Sequence, residues 1–185
     1  LEKSWRRFFH QPKMPFLIVQ LSGLNRPSWP EFRNSQRLLA AQQPQTWLTV
    51  TSDVGDSLDV HYRNKQPVGK RLALQALHHV YEHAIVSEGP SCIKARAVGE
   101  LVYLYFENAQ RLQAKDGPLT GFEVAGEDGV YHAAKAEIDG ESVIVSCAEV
   151  PHPQTVRYGW HPFSRANLVN EALFPCSTFK KKIPK

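Results

Sequence analysis

Residues 49–72 of this 185-residue chain read TVTSDVGDSLDVHYRNKQPVGKRL. The stretch opens with β-branched residues, passes through a polar loop that holds three aspartates and one histidine, and continues into an amphipathic pattern. A strand, a loop and a helix in this order place polar side chains at the carboxyl edge of a parallel sheet, where open α/β folds hold their sites. The stretch therefore predicts an α/β fold whose candidate site lies in this loop.

The candidate catalytic residues lie in the same loop. Asp59 and His61 are two residues apart, and a carboxylate near an imidazole orients the ring and stabilises its protonated form. His61 can then act as general base toward a hydroxyl nucleophile. Asp53 is interpreted as a turn or capping residue. The aspartate spacing differs from that of a calcium-binding loop and lacks the closing glutamate, so we expect no metal site.

Helices and strands alternate on both sides of this loop. Continuous apolar, β-branched runs predict buried parallel strands, and apolar residues at three- and four-residue spacing predict helices. The predicted elements are a helix over residues 4–10, a strand over 16–21, a helix over 28–41, a strand over 47–50 and a helix over 64–84. This alternation is typical of a parallel sheet covered by helices, although two strands are too few to complete one.

The predicted helix over residues 28–41 carries its own start signal. Ser28 and Glu31 match a capping box, in which a hydroxyl and a carboxylate satisfy the first free amide groups of the helix. Phe32, Leu38 and Leu39 are predicted to form its buried face, because they recur at helical spacing.

The pattern changes near residue 88, and the second half is predicted to be all-β. Short apolar runs occur over residues 101–106, 121–126, 131–138, 142–145 and 155–158. Aspartate–glycine pairs that favour tight turns separate several of these runs. We therefore assign residues 1–88 to an α/β domain and residues 89–185 to an antiparallel β domain.

Composition narrows the classes of function. Hydrophobic residues make up 42% of the chain and charged residues 22%, which is typical of a globular protein. No apolar run is long enough to cross a bilayer, so we expect no membrane partner. The net charge is +4, but basic residues concentrate in residues 6–7 and 180–182 without a stripe of interleaved aromatics. We therefore expect no nucleic-acid partner.

Three cysteines, Cys92, Cys147 and Cys176, are present and none forms a closely spaced pair. Both one disulfide with one free thiol and three buried thiols are compatible with this spacing. The redox compartment therefore does not follow from the sequence.

Two motifs spell enzyme signatures and are interpreted as structural. The tetrapeptide GDSL at residues 55–58 is the nucleophile signature of a lipase and esterase superfamily, but its Ser57 lies only four residues from the candidate base. We interpret Ser57 as a turn residue. His79 and His83 fit the H-x-x-E-H pattern of a zinc peptidase class and would share one helix face. Since no further ligand is evident, we interpret them as part of a solvated helix face.

Several segments, in order along nearly the whole chain, carry a family resemblance. They are WRR at 5–7 with PFLIVQL at 15–21, WPEFR at 29–33, residues 53–74, GFEVAG at 121–126, VRYGW at 156–160, and NLVN at 167–170. Together they resemble the C-terminal portion of the sialate O-acetylesterases, the sialic-acid-specific branch of the SGNH hydrolases. This resemblance implies the C-terminal part of a three-layer α/β/α sandwich, followed by a β-sandwich-like domain.

The resemblance also implies an activity and a site. The family hydrolyses acetyl esters on the glycerol side chain of sialic acids with a serine nucleophile and a histidine base, and His61 matches the position of the base. Asp59 is the preferred acid partner, although the superfamily spacing Asp-x-x-His falls on Leu58. Asp56 and a backbone carbonyl that orients His61 are the alternatives. No cofactor is implied.

The family's nucleophile segment, Gly-Gln-Ser-Asn, and its oxyanion residues have no counterpart in residues 1–60. We therefore expect the chain to be a fragment that is inactive alone. Its expected partners are the upstream half of the same enzyme and an O-acetylated sialic acid or related sugar, in an extracytoplasmic compartment (periplasmic, secreted or lysosomal). The alternatives are an esterase for another acetylated sugar, such as xylan, and a non-catalytic β module that binds a sugar or a partner chain.

Overall fold

The computed structural model describes residues 1–184 and has a mixed α/β fold that is mostly β-sheet. Its helices are Glu2–Phe8 (α1), Trp29–Gln42 (α2) and Gln66–His79 (α3). Its strands are Phe16–Val19 (β1), Thr46–Thr49 (β2), Ser91–Val98 (β3), Leu101–Glu107 (β4), Gln113–Ala114 (β5), Phe122–Ala125 (β6), Tyr131–Ala133 (β7), Lys135–Asp139 (β8), Ser142–Ser146 (β9), Thr155–Tyr158 (β10), Leu168–Val169 (β11) and Phe179–Lys182 (β12). Within this described range, no helix is long and apolar enough to cross a membrane.

The first two strands form the parallel pair that the sequence predicts. Ile18 of β1 lies opposite Leu48 of β2, and the Gln20 N–H donates to the Thr49 carbonyl at 2.9 Å beyond the strand ends. Helix α3 packs on both strands and α2 on β2. Within residues 1–184, β1 pairs with β2 alone, so its other edge is open. The three-layer sandwich stays a prediction, since two strands do not make its central sheet.

Helix α2 buries a different face from the predicted one. Phe32, Leu38 and Leu39 are 55%, 42% and 46% exposed, whereas Arg33 is fully buried. The prediction of the buried face is wrong because the inward side of α2 meets main-chain carbonyls of the loop after β10, which need a hydrogen-bond donor. The capping box is also wrong, since no side-chain hydrogen bond caps the helix at Ser28.

Arg33 joins α2 to the β strands. Its Nε donates to Thr178 Oγ1 at 3.0 Å, its Nη1 to the Pro162 carbonyl at 2.9 Å, and its Nη2 to the carbonyls of Gly159 (3.1 Å) and His161. Burial lowers the pKa of Arg33 to about 10, so the guanidinium stays protonated at neutral pH. The Arg33 side chain therefore connects α2, which precedes residue 88, to main chain that follows residue 88. The domain boundary at that residue stays a prediction.

Helix α3 is shorter than predicted, because it ends at His79 instead of residue 84. The Tyr81 N–H turns back to the Ala76 carbonyl at 3.1 Å, and Glu82 adopts a left-handed φ of 59°. A left-handed residue just past the last turn is a common way for a helix to stop. The apolar spacing continues past the helix end, which is why the sequence pattern overestimates its length.

The strands from β3 onward form the antiparallel arrangement that the sequence predicts. One sheet has the order β12-β10-β6-β7, another has the order β3-β4-β9-β8, and the short strands β5 and β11 pair separately. Buried and exposed residues alternate along β4 and β9, as expected where one sheet face covers a core. The fully buried core side chains include Val102, Leu104, Phe122, Val124, Val143, Val145, Val156, Tyr158 and Phe179.

The predicted strand over residues 131–138 is in fact two strands in different sheets. Strand β7 pairs with β6, whereas β8 pairs with β9. Between them, the Ala134 N–H donates to the Phe122 carbonyl at 3.0 Å. Strands β3, β5, β11 and β12 have no predicted counterpart. In β12 the reason is composition, since it ends in three lysines and lysine is depleted in strands.

Candidate functional site

The loop between β2 and α3 lies beside the loop that follows β1, at the carboxyl edge of the parallel pair. The Gly23 N–H donates to the Val54 carbonyl at 2.8 Å, and the Asn25 N–H donates to the Ser57 carbonyl at 3.0 Å. This is the edge at which open α/β folds bind ligands. Residues 52–63 are called the His61 loop from here on.

Gly55 sets how closely the two loops approach. It adopts φ +129°, and a Cβ at this position would lie 2.3 Å from the Gly23 carbonyl oxygen. Only glycine combines this backbone conformation with such a close approach. The glycine of the GDSL tetrapeptide is therefore required by the close contact between the two loops. Ser57, in the same tetrapeptide, contributes its main-chain carbonyl to the loop contact.

The two candidate acids bond to the main chain of the loop. Asp56 Oδ1 accepts the Leu58 N–H at 2.8 Å and the Asp59 N–H at 3.2 Å. Asp59 Oδ1 accepts the main-chain N–H of His61 at 2.7 Å. Both contacts are local turns of the kind that aspartate favours. The structure therefore joins Asp59 to the backbone of His61 and not to its imidazole, and the catalytic roles of the three residues stay predictions.

The His61 side chain is exposed at the outer edge of the loop. An open groove beside it is lined by Leu24, Asn25, Arg26, Ser57, Leu58 and Val60. Two apolar side chains of this groove are strongly exposed, with Leu58 at 88% and Val60 at 53%. An exposed imidazole flanked by exposed apolar groups is accessible to a nucleophile or substrate held on another surface.

An ion pair that the sequence analysis did not predict anchors the start of the loop. Arg71 of α3 donates to both carboxylate oxygens of Asp53 at 2.6 Å each, and to the Val50 carbonyl at 2.9 Å. Such a bidentate pair is strong and directional. Asp53 lies in a turn, as its interpretation as a turn residue requires, and its ion pair in addition fixes the end of β2 against α3. The ion pair could not be predicted from the sequence, because the position of Arg71 relative to Asp53 depends on where α3 begins.

The two histidines of the zinc-peptidase pattern do not share a helix face, because α3 ends at His79. The His79 ring stacks on Trp47 with centroids 4.4 Å apart, and its Nε2 lies 3.0 Å from the Glu88 carboxylate. His83 lies past the helix, where its carbonyl contacts His78 Nδ1 at 2.9 Å. Among residues 1–184, no group of three or more His, Cys, Asp or Glu side chains could hold a metal ion.

Cys92, Cys147 and Cys176 are buried free thiols, which decides between the two alternatives that the sequence left open. Burial raises the pKa of Cys92 to about 12 and also raises the pKa of Cys176. Because the thiolate is the nucleophilic form, these cysteines are unsuited to nucleophilic catalysis at neutral pH.

The chain is similar to a solved crystal structure, that of a carbohydrate acetylesterase from Xanthomonas citri. The two share 36% sequence identity with a TM-score of 0.90. The match covers 97% of this chain and 44% of the Xanthomonas protein, so the chain spans less than half the length of that relative. No protein-family model and no curated protein matches the chain. Because the match covers 97% of the chain, it extends over both the helical and the β segments.

Proposed function

We propose that this chain is the base-carrying portion of a carbohydrate O-acetylesterase, with His61 as the general base. The observation that carries the proposal is the similarity to a carbohydrate acetylesterase over 97% of the chain, at 36% identity. Its chemical support is the exposed imidazole of His61 on a polar loop at the carboxyl edge of a parallel strand pair. The first observation supports hydrolysis of acetyl esters, and the second is compatible with a general-base role for His61.

The proposed reaction is acyl transfer through an activated serine. His61 takes the proton of a serine hydroxyl as that oxygen attacks the acetyl carbonyl, and then returns the proton to the departing sugar hydroxyl. A water molecule, deprotonated by the same imidazole, releases acetate from the acyl-enzyme. Ser57 is not proposed as the nucleophile, because its loop also carries the base and its main chain is engaged with Asn25.

Asp59 is proposed to orient the imidazole of His61. Its Oδ1 already holds the His61 N–H at 2.7 Å, which limits where the side chain of His61 can be directed. Asp56, which braces the preceding turn, and a backbone carbonyl remain the alternatives. The role requires an acceptor for the second imidazole N–H, and an uncharged carbonyl can also provide it.

We further propose that the nucleophile and the oxyanion donors come from a complementary α/β polypeptide. The open edge of β1 is suited to an added parallel strand. The exposed apolar side chains of α1, of Phe9 just after it, and of α2 outside the groove beside Arg37 are suited to packing against it: Trp5, Phe8, Phe9, Phe32 and Leu39. The Xanthomonas relative supports such a partner, because more than half of its length lies outside the match.

The proposed substrate is an acetyl ester on the glycerol side chain of a sialic acid, in an extracytoplasmic compartment. The resemblance of residues 53–74 and 156–160 to the sialate O-acetylesterases supports this choice. The Xanthomonas relative is described only as acting on carbohydrate. An acetylated neutral sugar, such as acetylxylan, is therefore the second candidate.

Acetate release tests the proposal. The chain is co-expressed with the portion of the Xanthomonas acetylesterase that the match leaves out, and the purified mixture is given O-acetylated sialic acid or acetylxylan. Acetate release that requires both polypeptides supports the proposal, and the faster of the two substrates identifies the sugar class. A stable complex that releases no acetate from either substrate would contradict it.

A further inference from the structure

Among residues 1–184, a groove between α2 and β12 is lined by positive side chains and by no carboxylate. Its charged lining consists of Arg37, Lys94 and the three lysines of residues 180–182, and its volume is about 350 Å³. We call it the lysine groove. It shares no lining residue with the groove beside His61.

The positive charge of the lysine groove is not neutralised within residues 1–184. Arg37 bonds only the neutral amide oxygen of Asn34, at 3.2 and 2.9 Å. Lys181 Nζ donates to the Ile93 carbonyl at 3.0 Å. None of the ion pairs in this range includes a cation of the groove.

The groups that face Arg37 do not supply the missing negative charge. The nearby Cys92 thiol is neutral at physiological pH, because burial raises its pKa to about 12. A second groove on the other side of Arg37 contains Glu88 and Glu107, but neither carboxylate lies within 4 Å of the guanidinium. Glu88 is engaged by His79 at 3.0 Å. Within the part of the chain that the structure describes, the lysine groove therefore presents uncompensated positive charge.

Aromatic surface continues from the lysines across the outer face of the sheet. Lys180 Nζ lies 5.5 Å from the ring centre of Tyr131 and 5.8 Å from that of Trp160. Arg157 lies between the same rings but is neutralised by Glu123, at 2.8 and 3.0 Å. Cations beside half-buried aromatic rings match the chemistry of an acidic sugar, which has a charged group and an apolar ring face.

We propose that the lysine groove binds an anionic polysaccharide and holds an acidic carbohydrate chain on the protein, away from His61. The choice of carbohydrate rests on the proposed function. The choice of an anion rests on the unneutralised charge of the groove alone. The chain-like ligand follows from the rings of Tyr131 and Trp160 beside Lys180, which give a second sugar unit a surface to contact.

The test is direct binding to the full chain at low salt, with polygalacturonate as the acidic probe and dextran of similar length as the neutral probe. We expect polygalacturonate to bind, dextran not to bind, and binding to weaken as salt is added. The double variant Lys180→Gln/Lys182→Gln should weaken binding roughly tenfold, since it removes two exposed, salt-screened charge pairs with the ligand. The matched control Lys115→Gln/Lys135→Gln removes the same charge from exposed positions outside the groove and should change affinity less than twofold.

Three outcomes would overturn the proposal: no binding of polygalacturonate at low salt, equal losses in the two double variants, or tighter binding of a single-stranded oligonucleotide than of polygalacturonate. The oligonucleotide result would assign the groove to nucleic acid. The binding assay has no esterase readout, so failure of the proposed acetylesterase activity and failure of this inference can be told apart. Melting curves of both variants verify that they are folded.

Discussion

The His61 ring is exposed on its loop, and its main-chain N–H is held by Asp59. In the complex with the complementary polypeptide, we expect His61→Ala to lower the turnover rate at least about 10²-fold, the lower range for loss of a general base. His152→Ala, at an exposed histidine on the β strands' side of the chain, is the control and should leave the rate unchanged. A near-normal rate in His61→Ala would remove this residue from the mechanism.

The two loop aspartates can be separated by the same assay. If Asp59 orients the imidazole, Asp59→Asn should lower the rate severely while the fold persists, because an amide can still accept the His61 N–H. Asp56→Asn should then have a mild effect. The reverse order would transfer the role to Asp56, and mild effects in both would favour a backbone carbonyl.

Cys92 makes stability depend on pH in a predictable direction. Its folded pKa is about 12 against an ordinary value of 9.0, so the unfolded chain loses this proton first. The stabilisation is complete below pH 9 and is lost as pH rises toward 12. When the pH is raised from 8.5 to 11, the free energy of unfolding should therefore fall by roughly 2 kcal/mol less in Cys92→Ala than in the parent protein. Parallel pH profiles in urea unfolding would contradict this.

At the scale of elements, the contact between the two loops depends on Gly55. In Gly55→Ala, the new Cβ meets the Gly23 carbonyl at 2.3 Å with φ +129°, so the loop must move. We expect a loss of about 1–3 kcal/mol in the free energy of unfolding, measured in urea, together with reduced acetate release. Gly69→Ala in α3 is the matched control, because its Cβ meets nothing within 4 Å. It should be neutral or stabilising by roughly 0.5–1 kcal/mol.

The helices and strands also show which features of the fold can be predicted from the sequence pattern. The parallel pairing of β1 with β2 and the antiparallel second half follow from runs of β-branched residues, because those runs report local burial. The inward face of α2 does not follow, because Arg33 is buried by carbonyls more than 120 residues away along the chain. The Asp53–Arg71 pair does not follow either, because its geometry depends on where α3 begins. His61 was found from the residue pattern alone, whereas its proposed role depends on the resemblance.

At the scale of the whole molecule, the chain combines a well-packed β core with an under-packed helical segment. The β strands contribute most of the fully buried core, whereas α1 and α2 leave large apolar side chains exposed. Patches of this kind mark interfaces or aggregation-prone surfaces. Arg33 nevertheless holds α2 in place through four acceptors on the β side. The helical segment therefore keeps the open edge of β1 and the His61 loop in a fixed position relative to the β core.

Because the nucleophile and the oxyanion donors are proposed to come from a complementary polypeptide, we predict that the purified chain alone does not hydrolyse acetyl esters. Acyl transfer needs a nucleophile, a base and oxyanion donors in one geometry. The His61 loop holds the serines Ser52 and Ser57, and the main chain around Ser57 is braced by Asn25 and Asp56. Acetate release from O-acetylated sialic acid should therefore stay at the uncatalysed rate, and light scattering should detect self-association through the exposed apolar side chains. The Ser57→Ala variant should behave identically. Robust hydrolysis by the chain alone that disappears in Ser57→Ala would make the GDSL tetrapeptide a true nucleophile motif and would remove the need for a complementary half.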